Sequence, residues 1–292
     1  TPKVELLTLK LFWKEVCMRK LWLKSLLLLT ALTLVLGQMT AWAGKIEEIK
    51  ARGKLIAGVK DAVVPFGFVD EKTNQLVGFD IDICRYIAQK LGVKLELKPV
   101  TSATRIPMLA QGSVDIVAAT MTHKFSREDS IDFSITYFMD GQKLLVKKAS
   151  GIKSAADLAG KKVGTAKGST SEKNIKIAQP KCRVLSFEGY PQAFLALQQG
   201  KVAAVTTDST ILLGLKNSAP NPDEYEIVGG YISSEPYGLG VPENDSDFRD
   251  FVNRCLADMW NSGEYQKIYN KWFGPNTKFH LPLNWKMEIW PY

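Results

Sequence analysis

Histidine is nearly absent from this chain: His123 and His280 are the two in 292 residues. A zinc centre or a histidine-dependent catalytic triad therefore has little to be built from. Cysteine is scarce too. Beyond the N-terminal segment only Cys84, Cys182 and Cys255 occur. An odd number permits at most one disulfide and leaves a thiol over, and the spacing matches no metal-binding pattern. The apolar run Leu26 to Leu36 falls short of the roughly 20 residues that a membrane-spanning helix needs. Signatures of nucleotide and acyl chemistry are missing as well. In "GTAKGST" (164–170) Lys167 precedes Gly168, whereas a phosphate loop needs lysine after its last glycine. Neither G-x-S-x-G nor G-x-G-x-x-G is found.

What is present is an ordinary globular composition, 46% apolar and 23% charged, with a formal charge of +8. Six of the 38 basic residues (Lys3, Lys10, Lys14, Arg19, Lys20 and Lys24) fall in residues 1–43 beside two acids, Glu5 and Glu15. The remainder carries about half the surplus, scattered among acids, without the concentrated basic face of a nucleic-acid binder. The basic residues Arg19, Lys20 and Lys24, the apolar run and Ala41-Trp42-Ala43 together predict a secretory signal peptide over 18–43. Cleavage after Ala43 gives a mature chain beginning at Gly44. Residues 1–17 lie ahead of the expected start. No cysteine follows the apolar run, so no lipid anchor is expected.

From "KIEEIKARG" onward the pattern reads helix, strand ("KLIAGVK"), helix ("GFDIDICRYIAQKLG"), strand ("KLELKPV"), short helix ("RIPMLAQG") and strand ("VDIVAAT"). Alternation of this kind predicts a parallel α/β sheet. A related order recurs later. "GKLIAGVK" (53–60) is echoed by "GKKVGTAK" (160–167), and "LAQGSVDIV" (109–117) by "LQQGKVAAV" (197–205). Thr120 stands eight residues after Gly112, and Asp208 eight after Gly200. Two copies of one unit thus bring a polar residue to the carboxyl end of a strand, where open α/β sheets bind ligands. "YFMDGQKLLVKK" and "SSEPYGLGVPE" read as two extended crossings between lobes.

Five segments carry a more specific likeness: "GFDIDI" (78–83), "GSVDIVAATMTHKFSRED" (112–129), "IDFSITYF" (131–138), "ADLAGKKVGTAKGSTSE" (156–172) and "GEYQKIYNKWFG" (263–274). In this order they resemble the extracellular solute-binding proteins of family 3, the periplasmic receptors of polar amino-acid uptake transporters, over residues 45–275. "TSATRIPMLAQG" (101–112) and the tail "KFHLPLNWKMEIWPY" resemble the glutamate/aspartate-binding branch. The resemblance implies an α/β, two-lobed periplasmic-binding-protein fold of type II with a hinge of two crossing strands. Lobe 1 is expected at 44–139 and 238–292, and lobe 2 at 140–237. A monomer is expected, serving an inner-membrane ABC permease, with no cofactor or metal and no nucleic-acid partner.

The candidate ligand-binding residues are Lys60, Phe66, Ser102, Arg105, Thr120, Thr122, Arg127, Thr170, Tyr190 and Asp208. The resemblance assigns Arg127 to the ligand's α-carboxylate, which its planar fork can hold at both oxygens. Thr120 and Thr122 would add hydroxyl or backbone contacts, and Asp208 would accept from the ammonium. Thr170 sits at a helix start, where backbone N–H groups favour an anion. Lys60 and Arg105 are further cations, matching positions that face the side-chain carboxylate in acidic-ligand relatives; Tyr190 offers a hydroxyl there. Set against Asp208 alone, the three cations leave a surplus of two, which favours glutamate or aspartate over glutamine. Plainer roles stay open: an exposed Lys60, a solvated Arg105, Asp208 as the N-cap of "STILLGLK", Tyr190 and Phe66 as core. Other functions stay open as well: a receptor for another polar amino acid such as glutamine, a cyclohexadienyl dehydratase-like enzyme on the same fold, or a sensing domain.

Overall fold

A computed structural model describes residues 44–289 together with positions 13, 14, 18, 19 and 22. The expected signal peptide otherwise lies outside the described residues. Helix α1 (Lys45–Arg52) stops at Gly53, whose φ of 73° lies in the left-handed region that ends helices. Strand β1 (Lys54–Val59) follows, then three short strands, β2 (Ala62–Val63), β3 (Gly67–Val69) and β4 (Leu76–Val77), which form their own antiparallel sheet. Helix α2 (Phe79–Leu91) begins at Gly78, where only glycine fits. Its φ is 147°, and a Cβ there would lie 2.1 Å from the Phe66 carbonyl oxygen. The first N–H groups of α2 are satisfied by that segment: Phe79 N donates to Pro65 O at 3.0 Å and Asp80 N to Phe66 O at 2.9 Å. Asp80 is thereby fixed on the inner side of the helix.

Strand β5 (Lys94–Pro99) and, after the short helix α3 (Arg105–Ala110), strand β6 (Ile116–Ala118) pair with β1 on either side, both parallel. The one-turn helix α4 (Phe125–Glu128) leads into β7 (Asp132–Lys147). The second copy repeats the plan. β8 (Lys162–Ala166), helix α5 (Thr170–Ala178), β9 (Arg183–Phe187), helix α6 (Tyr190–Gln198) and β10 (Ala204–Asp208) follow in turn. Here β8 lies parallel between β9 and β10, as β1 lies between β5 and β6. The echo read in the sequence is therefore an echo of topology. Helix α7 (Ser209–Asn217) leads to the 17-residue strand β11 (Tyr225–Val241).

β7 and β11 run antiparallel through the whole molecule and join the two copies into one eight-stranded sheet. β6 pairs with β11 at Gly240, whereas β10 pairs with β7 at Gln142–Val146. The register breaks between Val228 and Ser233 and again near Gly238. Each copy thus hangs from a different stretch of one two-stranded ribbon. Helices α8 (Ser246–Asn261) and α9 (Glu264–Phe273) return to pack on α2 and β7. Gly263, at φ 78°, separates the two helices.

The core between α2, the ribbon and α9 is aromatic. Phe66, Phe79, Tyr137, Phe138, Tyr237, Tyr265, Tyr269 and Phe273 are all fully enclosed. Burying one such phenylalanine contributes about 1.5–3 kcal/mol. Two glycines let the second copy approach the first closely. A Cβ on Gly168 would meet Ala103 Cα at 2.8 Å, and one on Gly214 would meet Val64 O at 2.1 Å. Cys84, Cys182 and Cys255 are all free thiols.

Candidate functional site

The loops that follow β1, β6, β8 and β10 converge at the centre of the sheet. Thr120, just past β6, is the first unusual residue. It is β-branched yet holds φ 48°, a conformation that costs about 1–3 kcal/mol. Two buried charged groups hold it there. Its N–H donates to Asp80 Oδ2 at 3.0 Å, and its hydroxyl donates to Ala119 O at 2.8 Å. Arg105 Nη1 donates to Ala119 O at 2.5 Å and to Thr120 O at 3.1 Å. Arg105 is 2% exposed, and its Nε is buried without a partner. A guanidinium in that position has hydrogen-bonding capacity left to direct at a further acceptor.

Lys60, 5% exposed, donates from Nζ to Ser102 Oγ at 2.9 Å. Burial, reinforced by the Arg105 charge, pushes this amine well below the ordinary lysine range. Asp61 and Asp80 oppose that shift. Arg127 is partly buried and donates from Nη1 to Thr122 O at 2.6 Å. Burial and the neighbouring Arg105 lower it to about 9, while Glu235, Tyr190 and Asp208 act the other way. An arginine so placed stays charged at neutral pH. Lys60, Arg105 and Arg127 thus share one enclosed region, close enough to weaken one another's charge.

Asp208 faces them. By position it is the N-cap of α7, but its side chain makes no capping bond. Asp140, on β7, caps the helix in its place, with Ser209 N donating to Oδ1 at 3.1 Å and Thr210 N to Oδ2 at 3.0 Å. The Asp208 carboxyl is released to accept from the Tyr237 hydroxyl at Oδ2, while its buried Oδ1 has no partner. Burial, then Glu235 and Asp140, raise Asp208 well above the usual carboxylate range. Tyr190 is buried, with Asp208, Thr207, Arg105 and Ser102 around its hydroxyl. Thr170 opens α5, whose N-cap role belongs to Ser169. Phe66 lies in the aromatic core, in edge contact with Phe138 at 5.0 Å and, at 5.7 Å, with Tyr237, whose hydroxyl donates to Asp208.

Glu235, on β11, is the residue that sequence reasoning passes over. It is 0% exposed and accepts from Thr122 Oγ1, from Thr170 Oγ1 at 2.8 Å, from Asn174 Nδ2 at 3.0 Å and from Ser233 Oγ. Thr122 belongs to the first copy and Thr170 to the second, so this carboxylate ties the two together. A signal exists: Ser233, Glu235 and Tyr237 alternate along a strand and therefore share one face. Asp80 is the other omission. The cation surplus counted from sequence is corrected accordingly, because Lys60, Arg105 and Arg127 face Asp80 and Glu235 as well as Asp208.

Burial raises Asp80 to about 7, opposed by the Tyr137 hydroxyl at 2.8 Å and the Thr120 N–H. A carboxyl whose folded pKa exceeds its unfolded one binds more protons when folded, so stability is greatest below about pH 4 from this group and is lost as pH rises through 7. The ligand-free protein is expected to melt at a lower temperature at pH 7.5 than at pH 5. Calorimetric scans of the protein and of Asp80→Asn check this, with a smaller difference expected in the variant.

A groove of about 790 Å³ between the Asp61–Lys72 segment and helices α6 and α7 contains none of the ten candidate residues. The polar cluster, not that groove, is the candidate site.

The model of bacterial extracellular solute-binding proteins, family 3, matches residues 55–275. The ABC transporter glutamine-binding protein GlnH of Bacillus subtilis is 42% identical over 77% of this chain and 82% of its own length. The L-glutamate/L-aspartate-binding protein of Pseudomonas aeruginosa is 32% identical over 84% of this chain and 85% of its own. Among solved structures, an ancestral arginine-binding protein bound to glutamine superposes with a TM-score of 0.72 at 44% identity, covering 76% of this chain and 99% of that one.

Proposed function

Because the chain belongs to the bacterial extracellular solute-binding proteins of family 3, amino-acid receptors of ABC transport with the two-lobed type II fold, we propose that its ligand is L-glutamate or L-aspartate. The observation that carries this reading is the pair of buried cations Lys60 and Arg105, 5% and 2% exposed, the latter with an unpartnered Nε. An anionic oxygen between them would relieve their repulsion and complete their hydrogen bonds. Arg127 takes the α-carboxylate and Asp208 the ammonium. Ser102 and Tyr190 orient the side-chain end, and the threonines at 120, 122 and 170 frame the head group.

A second reading, glutamine, is favoured by one feature of the site: Asp80 and Glu235 cancel the charge surplus that would demand an acid. An amide oxygen would then satisfy Arg105 without bringing charge. Mass spectrometry of the small molecules released on denaturing the purified protein separates the readings. Glutamate or aspartate supports the first; glutamine alone overturns it in favour of the second.

The receptor acts without catalysis, as a periplasmic monomer exported by its signal peptide, and delivers its ligand to an inner-membrane ABC permease. Residues 44–139 and 238–292 form one lobe and 140–237 the other, closing on the ligand about the β7–β11 ribbon. Gly214 gauges that closure through its contact with Val64 O. Gly214→Ala is expected to weaken ligand affinity through overpacking worth about 1–3 kcal/mol, roughly 5- to 150-fold. Isothermal titration measures the loss, and unchanged affinity would remove Gly214 from the closing surface.

A further inference from the structure

Thr122 and Thr170 each have one hydroxyl proton, and the structure aims both at the same oxygen, Glu235 Oε2. A carboxylate accepts and cannot donate, so both protons are committed to it. What each threonine oxygen has left are lone pairs. Both residues are buried, at 3% and 7% exposure, one after β6 and one at the start of α5. Asp208 Oδ1, also buried, is a third acceptor without a partner. The arrangement of Glu235 is itself over-determined: Asn174 Nδ2 at 3.0 Å and Ser233 Oγ hold its other oxygen. The carboxylate is therefore not free to swing and release the threonines.

We infer that Glu235 sets the hydrogen-bond polarity of the site, turning the Thr122 and Thr170 oxygens into acceptors that select an α-ammonium over an α-hydroxyl. The inference rests on the amino-acid reading above and extends it to a residue that touches the ligand only through its neighbours. The chemistry is a matter of counting. An ammonium has three N–H donors for three acceptors, Thr122 Oγ1, Thr170 Oγ1 and Asp208 Oδ1. An α-hydroxyl supplies one donor and leaves two buried acceptors unmet. Glu235 is a positioning residue in this sense, and its effect is on selectivity rather than on gross fold.

The test compares L-glutamate with L-2-hydroxyglutarate by titration calorimetry on the full protein, on Glu235→Met, which removes the acceptor, and on Thr170→Val, which removes one hydroxyl at constant shape. The unaltered protein is expected to prefer glutamate by roughly a hundredfold or more. Either folded variant should shrink that preference by about tenfold, through loss of glutamate affinity rather than gain of general stickiness. Thr170→Val keeps the question answerable should Glu235→Met fail to fold. An unchanged preference in a folded variant overturns the inference while leaving the amino-acid site standing. Should the unaltered protein bind glutamine and not glutamate, the acidic reading fails alone, and glutamine against its α-hydroxy counterpart gives the same comparison.

Discussion

Arg127→Ala is expected to give a folded protein whose affinity for every amino acid is sharply reduced. Truncating one partner of a buried charge pair costs about 2–5 kcal/mol, roughly a 30- to 4,000-fold loss of affinity. Folding should survive, because Arg127 is only partly buried and its contact within the chain is one bond to Thr122 O. Burial and Arg105 already disfavour its charge, so its removal relieves part of the repulsion inside the site. Arg127→Lys should rescue little. A lysine is a point charge on a flexible stem and cannot present two parallel N–H groups to a carboxylate. Melting curves with titration calorimetry check both halves of this result. Retained binding in the alanine variant would place the α-carboxylate elsewhere.

Lys60→Met should raise the stability of the ligand-free protein and lower its affinity for acidic amino acids. The amine is 5% exposed, donates to Ser102 Oγ and lies beside Arg105. Replacing a buried charge with an apolar side chain of similar shape stabilises on the order of 1 kcal/mol or more. Losing a charge-assisted bond to the ligand's side-chain carboxylate costs about 1.5–3 kcal/mol, roughly 10- to 150-fold. Glutamine should be much less affected, so the ratio of the two affinities is the informative readout. A parallel loss for both ligands would mean that Lys60 serves the head group or the fold. A protein that is less stable and equally selective would mean that its position is structural.

Sequence and structure agree most closely where local chemistry decides the outcome. The strand-helix alternation from Lys54 to Ala118, and its second copy from Lys162 to Asp208, follow from apolar period and glycine stops. The loops that carry the polar cluster follow from those elements, since residues just past parallel strands must emerge on one side of the sheet. Arg105, Arg127, Lys60, Ser102 and Asp208 therefore fall where their positions after strands or at helix starts suggest. Glu235 was hidden for a physical reason. "SSEPYGLG" has the glycine and proline of a crossing segment, and only pairing with β7 makes Ser233, Glu235 and Tyr237 one inward face. Asp80 was hidden because an acid in the first turn of a helix is ordinarily a solvated dipole partner. Here the close approach at Gly78 turns it beneath Thr120. Asp208 shows the converse. Its N-cap role was the plain alternative, and a long-range partner, Asp140, takes that role instead.

Titration of the ligand-free protein with L-glutamate and, separately, with L-glutamine tests most directly whether two buried cations choose the ligand's side chain. The account predicts micromolar or tighter binding of glutamate, with glutamine weaker by about tenfold or more. Heat from glutamine with none from glutamate or aspartate would contradict it.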